Sequence, residues 1–359
     1  MFTTNSIVLS EDITNIFSSL SSTLGQAFNS RFNMLIKKLF ANNEQGFAYD
    51  PNDLTTLYQA VGGTIPVTKV VQPIGKSLDK SGRNNHAYQS TSASRPTLSA
   101  RVNELVATED LSSVLWREIN GSVVGNDKFT PNTTLGIHRI SQAIAPSTGV
   151  QKKLSGRVKY AGVPFIYINA VQTIRASLCI NLQTGAFISS GEKIKNISVV
   201  MQSDGWIDFS FEGETYEVNN PLYFQANTSL TTSDNSYTGN GVDGFLLSKV
   251  DMRRSSSSTI IPTYQKVESN TAYDNRNFPR YFKYDKVDDK LTTNLPTKLT
   301  GCTVIRSVPN VGTQILTNQT IPATYEDDTD HCGLIVINRA LTPSETSAIT
   351  AEFNKRAGV

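Results

Sequence analysis

Two periodicities divide the chain. Between residues 10 and 40, apolar side chains fall at Ile13, Phe17, Leu20, Leu24, Phe28, Phe32, Leu35 and Leu39. The steps are threes and fours, which place all eight on one stripe of an α-helix. Ser10 is placed to cap its start, Glu11 and Asp12 suit its positive end, and Arg31, Lys37 and Lys38 suit its negative end. Gly25 and the serine-rich stretch Ser18–Ser22 weaken this helix and mark where it would bend. A stripe of this kind either packs on its own domain or associates with other chains. Residues 1–45 are read as a helical arm that anchors or oligomerises the protein, with the eight stripe residues as its contact set.

From residue 46 the pattern is that of strands. Short β-branched and aromatic runs occur at 136–145, 157–161, 165–170, 175–182, 194–201, 206–212, 222–225 and 245–250. Turn signals separate them: Thr184-Gly185, Ser190-Gly191, Asp204-Gly205 and Gly239-Asn240-Gly241. Strands of this length and spacing predict a sandwich or jelly roll. Further on, Tyr281, Lys283 and Asp285 alternate with Phe282, Tyr284 and Lys286, a strand that runs into a carboxylate-rich turn. Strands are expected at 303–306 and 333–338. A closing helix has Thr342 as cap, Pro343 at its first position and Glu345 three residues after the cap. Ile349 and Phe353 share one face, and Gly358 ends it.

Composition narrows the class. Charged residues make up 18% of the 359, below the roughly 25% usual for soluble domains. The formal net charge of +2, with no run of like charges, does not point to nucleic acid. Three cysteines, Cys179, Cys302 and Cys332, cannot all pair within one chain and show no CxxC spacing, so neither a zinc site nor a disulfide scaffold is expected. The opening MFTTNSIVLS lacks the basic and apolar regions of a secretory signal. No apolar run is long enough to predict a membrane span.

The residues suited to chemistry are few. Asp285, Asp288 and Asp289 form one acidic cluster, and Glu326, Asp327, Asp328 and Asp330 another. Hard oxygen ligands on loops suit Ca²⁺, whereas loop carboxylates also serve as turn formers. The first cluster is the candidate calcium set, and no other cofactor is expected. Among Tyr160, Tyr167, Tyr216, Tyr223 and Tyr237, a flat platform for sugar rings competes with simple packing between sheets. Tyr167, Tyr216 and Tyr223 are kept as ligand candidates; Trp116 and Trp206 are expected to pack. His86, His138 and His331 stand in unrelated contexts, and no nucleophile elbow, HExxH or phosphate loop occurs. An enzyme is not expected.

Several stretches carry a resemblance. They are GFAYDPNDLTTLYQA at 46–60, QPIGKSLDKSGRNNHAYQSTSASRPTLSARVN at 72–103, ELVATEDLSSVLW at 104–116, INLQTGAFISSG at 180–191 with DGWIDFSF at 204–211, YDNRNFPRYFKYDKVDDKL at 273–291 and GLIVINRALTPSETSAI at 333–349. Together they resemble a modular family of tailed-phage virion proteins with lectin-like domains. The segments at 72–103 and 273–291 resemble consecutive parts of a concanavalin A or laminin-G type sandwich. Here about 180 residues, one domain's worth, lie between them. The resemblance implies a mainly β protein of two β-sandwiches, a carbohydrate-binding-module-like jelly roll at 101–275 inserted into a lectin-like sandwich at 46–100 plus 276–359, with the helical arm in front.

It also implies a function. The family's members are virion components assembled in the host cytoplasm. The expected role is a fibre, spike or tail appendage that meets host-surface polysaccharide. The arm would join other virion proteins and form a homo-oligomer, a trimer being usual for fibres. Capsid decoration or tail bracing without glycan is the alternative, and a polysaccharide depolymerase the third.

Overall fold

The computed structural model describes residues 31–144, 148–170, 174–215, 221–255 and 261–359. The chain is mainly β, and its described residues form two compact units: 31–99 with Pro279–Val359, and Ala100–Phe278. The junctions thus fall after Ser99 and Phe278 rather than after residues 100 and 275.

In the first unit, a four-stranded antiparallel sheet runs in the order Gly46–Tyr49, Leu334–Ile337, Leu299–Val308, Gly312–Ile321. Its inner face, through Phe47, Tyr49, Val304, Leu334 and Val336, packs with Leu57, Ala87, Leu291 and Tyr325 of a five-stranded sheet. Its other face is covered by helices. Ala48, Ile305, Ile335 and Ile337 meet Phe32, Ile36, Leu39 and Phe40 of a helix at 31–39, and Ile349 and Phe353 of the helix Pro343–Ala357. Burial on both faces explains why LIVI at 334–337 is apolar without alternation.

This packing corrects the reading of the arm. Phe32 and Leu39 are fully buried in the chain's own unit, and Leu35 packs against the same cluster. These three are therefore intramolecular contacts, because the outer face of the sheet needs cover. Ile13, Phe17, Leu20, Leu24 and Phe28 lie outside the described residues. Phe32 also lies under the guanidinium of Arg356, 4.0 Å from the ring centroid. Arg356 is buried between Asp50 (2.6 Å) and Glu352 (2.9 Å).

The expected strand at 281–286 is only three residues long, Tyr281–Lys283, paired with Thr97–Ser99. Tyr281, Phe282 and Tyr284 are all buried, so the alternation is not kept. The closing helix has Thr342 in a full capping box with Glu345, Pro343 in its first turn and Gly358 in the left-handed region at its end. Arg339 grips the Glu345 carboxylate through two nitrogens, at 2.8 and 2.9 Å. These bonds outweigh partial burial and hold that carboxyl down from 4.5 to about 2.

The second unit is a sandwich of two six-stranded sheets. One runs Phe187–Ser190, Ala176–Asn181, Phe165–Ala170, Leu222–Asn227, His138–Gln142, Arg117–Ile119. The other runs Lys195–Met201, Trp206–Glu214, Gln151–Ala161, Gly244–Arg254, Lys128–Pro131, Gly121–Val124. Their inner faces share one core, in which Phe224 of the first sheet meets Phe209 of the second edge-on at 6.5 Å. Trp116 packs as expected, its indole N–H donating to Ala107 O at 3.0 Å. Trp206 does not. Ile207, Phe209 and Phe211 take the inward positions of its strand, so Trp206 points outward and lies beneath Arg157.

The two ends of this unit are joined by a buried amide. Gln265 Oε1 accepts from the backbone of Val102 (2.7 Å) and Asn103 (3.0 Å), while its Nε2 donates to Ala100 O (2.8 Å) and Asp274 O (2.7 Å). The neighbouring Asn103 amide donates to Val250 O and Gln265 O, and accepts from Leu105 and Met252.

Two predictions follow from these contacts. Gln265→Leu strips four buried backbone groups of their partner and should cost the second unit about 3 kcal/mol. Urea unfolding followed by amide NMR checks this: unit-two signals should be lost earlier, with residues 299–337 unmoved. The Glu345 carboxyl is depressed in the folded state, so its contribution is full above pH 4.5 and is lost as pH falls towards 2. Glu345→Gln should therefore cost roughly 2–3 kcal/mol at pH 7, and the gap should close on acidification, as read from urea midpoints at each pH.

Candidate functional site

The tyrosine candidates come together, but not as an open platform. Tyr167 and Tyr223 project from neighbouring strands on the outer face of the first sheet of unit two, edge to face at 6.3 Å. The segment at 228–236 folds back over this face. Ser229 O lies 3.9 Å from Cys179 Sγ, and Thr231 O and Ser233 O accept from Asn227 Nδ2 at 3.5 and 3.4 Å. Asp234 accepts from the Tyr223 hydroxyl at 3.4 Å. Tyr167 is consequently 3% exposed, and one face of the Tyr223 ring is taken by the Arg139 guanidinium at 4.4 Å. Burial raises both hydroxyls and pushes the Cys179 thiol up to about 11. The platform reading is corrected for Tyr167, which is buried; Tyr223 is half-buried with one face of its ring under Arg139. Tyr216 lies outside the described residues.

The acidic candidates serve a turn. Asp285 Oδ1 accepts from the backbone N–H groups of Val287 (2.8 Å), Asp288 (3.2 Å) and Asp289 (3.1 Å), and these hold its carboxyl below the usual range. Asp289 Oδ2 accepts from Asp285 N at 3.0 Å, and Asp288 Oδ2 from Ser94 Oγ at 2.6 Å. The three ligand oxygens lie within 4.8 Å of one another. One oxygen of each carboxylate serves as a cap and the other is left, so the cluster supplies part of the about six to eight oxygens a calcium ion takes, and the rest would have to come from elsewhere. In the second acidic cluster Asp327 is buried. It accepts from Tyr284 Oη (2.8 Å) and Arg306 Nη2 (3.3 Å), with His331 Nε2 at 3.0 Å from Oδ2. Burial opposes its ionisation, but His331 and Arg306 beside it hold the carboxyl below the usual range. This is an interior brace, and His331 is fully buried within it.

A different place has the form of a binding site. At one end of unit two the loops line a half-open cavity of about 180 Å³. Its walls are Pro131, Val163 and Pro164 on the apolar side. Asn227, Thr228, Tyr237, Asn240 and Asp243 supply the polar groups. Local sequence builds it. Asn240 Oδ1 accepts from Val242 N (2.9 Å) and Asp243 N (2.8 Å), forming a turn, and its Nδ2 donates to Asp243 Oδ2 at 2.7 Å. The Asp243 carboxylate is thereby aimed. It lies against Gly162, whose φ is 113° and where a Cβ would stand 2.2 Å from Asp243 Oδ1, so only glycine fits there.

Tyr237 is held just as firmly. Tyr237 and Thr238 pair with Gly136 and Leu135. The buried His138 ring lies tilted against the tyrosine ring with centroids 4.6 Å apart, and its Nε2 meets Tyr237 O at 2.8 Å. The Tyr237 hydroxyl is buried and has no hydrogen-bond partner among the described residues. Burial, and then Asp243, push its proton affinity up, so it is a neutral phenol. Asp243 is the single charged side chain among the lining residues.

Comparison of the chain with protein-family models and with curated proteins gives no match. The chemistry of the cavity is therefore read from its own residues: a fixed carboxylate acceptor, an unsatisfied hydroxyl buried behind the tyrosine ring, the Thr228 hydroxyl, and apolar walls. Sequence reasoning had Tyr237 and the Gly239-Asn240-Gly241 turn in view but did not join them. The usable signal was an Asn and an Asp three residues apart in a glycine-rich turn after an aromatic residue.

If Tyr167 is a packing residue, Tyr167→Ala should destabilise unit two by about 3 kcal/mol or more. Chemical denaturation measures this, and an unchanged midpoint would restore the platform reading.

Proposed function

We propose that the protein is a structural, non-enzymatic component of a tailed-phage virion, a fibre, spike or tail appendage that contacts host-surface glycan through its second unit. The resemblance of residues 46–359 to lectin-like virion modules supports the class. The observation that carries the glycan reading is the cavity beside Tyr237, with its aimed carboxylate and apolar walls. Sites that recognise small polar ligands join apolar walls to a few placed polar groups, and sugar rings carry both kinds of surface.

Anchoring falls to the part of the stripe from Ile13 to Phe28, since Phe32, Leu35 and Leu39 pack within their own unit. Homo-oligomerisation, as a trimer for a fibre, would repeat a weak site and raise its avidity by about 10² or more. Among the described residues no helix is long and apolar enough to cross a membrane.

The full-length protein should bind a subset of polysaccharides on an array of bacterial surface glycans, and an antibody to residues 101–275 should decorate tails or fibres of intact particles in electron microscopy. An array with no binding would sink the adhesion role. Label over the head would favour capsid decoration instead.

A further inference from the structure

We infer that the cavity beside Tyr237 selects a single uncharged sugar residue, a neutral hexose ring bound through adjacent hydroxyls, and rejects uronic and sialic acids; this deepens and rests on the adhesion reading above. Size sets the first limit. At about 180 Å³ the cavity is smaller than the roughly 300 Å³ at which pockets for drug-sized ligands begin, so it matches one ring rather than an oligosaccharide.

Its polar groups set the second. Asn240 holds one oxygen of Asp243 at 2.7 Å, and the missing side chain of Gly162 lets the other stand close to the backbone. The carboxylate is thus fixed as an acceptor of hydroxyl protons, and neighbouring sugar hydroxyls present such donors at matching spacing. The buried Tyr237 hydroxyl has no partner among the described residues, and an orphaned buried polar group of this kind is costly until something bonds it. That hydroxyl has no accessible surface of its own, so a ligand hydroxyl meets it only as the Tyr237 ring shifts towards the cavity, and then accepts from it. The Asn227 amide is taken up by Gln225, Thr231 and Ser233, and the Thr228 hydroxyl donates to Asn235 but can still accept; the proline and valine walls meet the C–H face of a ring.

Charge sets the third limit. Asp243 is the single charged side chain of the lining, and no Lys, Arg or His is among the lining residues. A sugar carboxylate, phosphate or sulfate would face that charge without compensation. An amino sugar would match it, which makes glucosamine a necessary control.

Saturation-transfer NMR on the full-length protein tests this, with methyl glucoside, methyl galactoside, methyl mannoside, glucuronic acid, N-acetylneuraminic acid and glucosamine as probes. Transfer is expected to at least one neutral methyl hexoside and to neither acid. Asp243→Asn should weaken that binding by about tenfold or more, as loss of a charged acceptor implies. Tyr237→Phe keeps the ring and should also weaken binding, while Tyr167→Phe should leave it unchanged; amide spectra of each variant report the fold. Binding of an acid, binding of glucosamine alone, no neutral binding, or neutral binding that survives both cavity variants would overturn the inference. Polysaccharide binding on the array by the Asp243→Asn, Tyr237→Phe double variant sinks the cavity and leaves adhesion standing. Neutral hexoside binding without any array binding sinks adhesion and leaves the cavity's selectivity intact.

Discussion

The constraint on which the fold depends is closure of a chain that is interrupted by another domain. The first unit is left at Ser99 and resumed at Pro279, and bringing the ends of so long a segment together costs several kcal/mol, roughly 4–5 if the segment were flexible. Two devices offset that cost, one in each unit. In the first, Thr97–Ser99 pairs with Tyr281–Lys283, so outgoing and returning strands lie side by side. In the second, Gln265 bonds Ala100, Val102, Asn103 and Asp274 at once. A folded insert whose ends already meet costs far less to close than a loop of equal length.

The second unit shows how rigid elements support a site on loops. The sandwich core fixes the strand ends; glycine and asparagine then settle the loops. Gly162 permits a close approach, Asn240 turns the chain and aims Asp243, and His138 holds Tyr237 by its ring and its backbone carbonyl. Asp243 does not have to move to present its acceptor to the cavity. Preorganisation of this kind limits the ordering cost that otherwise consumes weak binding.

Much of the fold was legible in the sequence. Turn signals and strand-length runs marked the second unit, and the Thr342–Glu345 box marked the closing helix, because caps and turns are local chemistry. What depends on distant partners was not legible. Trp206 reads as a core residue until its neighbours Ile207, Phe209 and Phe211 are seen to take the inward positions. Phe32 and Leu39 read equally well as an external stripe, because nothing local shows that a sheet built largely from strands near the far end of the chain, through Ile305, Ile335 and Ile337, lacks cover on one face. The site was least legible. Tyr167 and Tyr223 look like platform residues until the 228–236 segment is laid across them, and Tyr237 gains meaning only when His138, Gly162 and Asp243 converge on it from other strands.

The Gln265 amide has a consequence for how such a protein changes over generations. Because the second unit ties its own ends together and the first ties its own strands, the junction at Ser99 and Pro279 specifies only a separation, not the identity of what spans it. A foreign cassette with similarly gathered ends satisfies that junction as well. Recombination can therefore exchange the whole second unit in one step, whereas piecemeal substitution would have to pass through a damaged core.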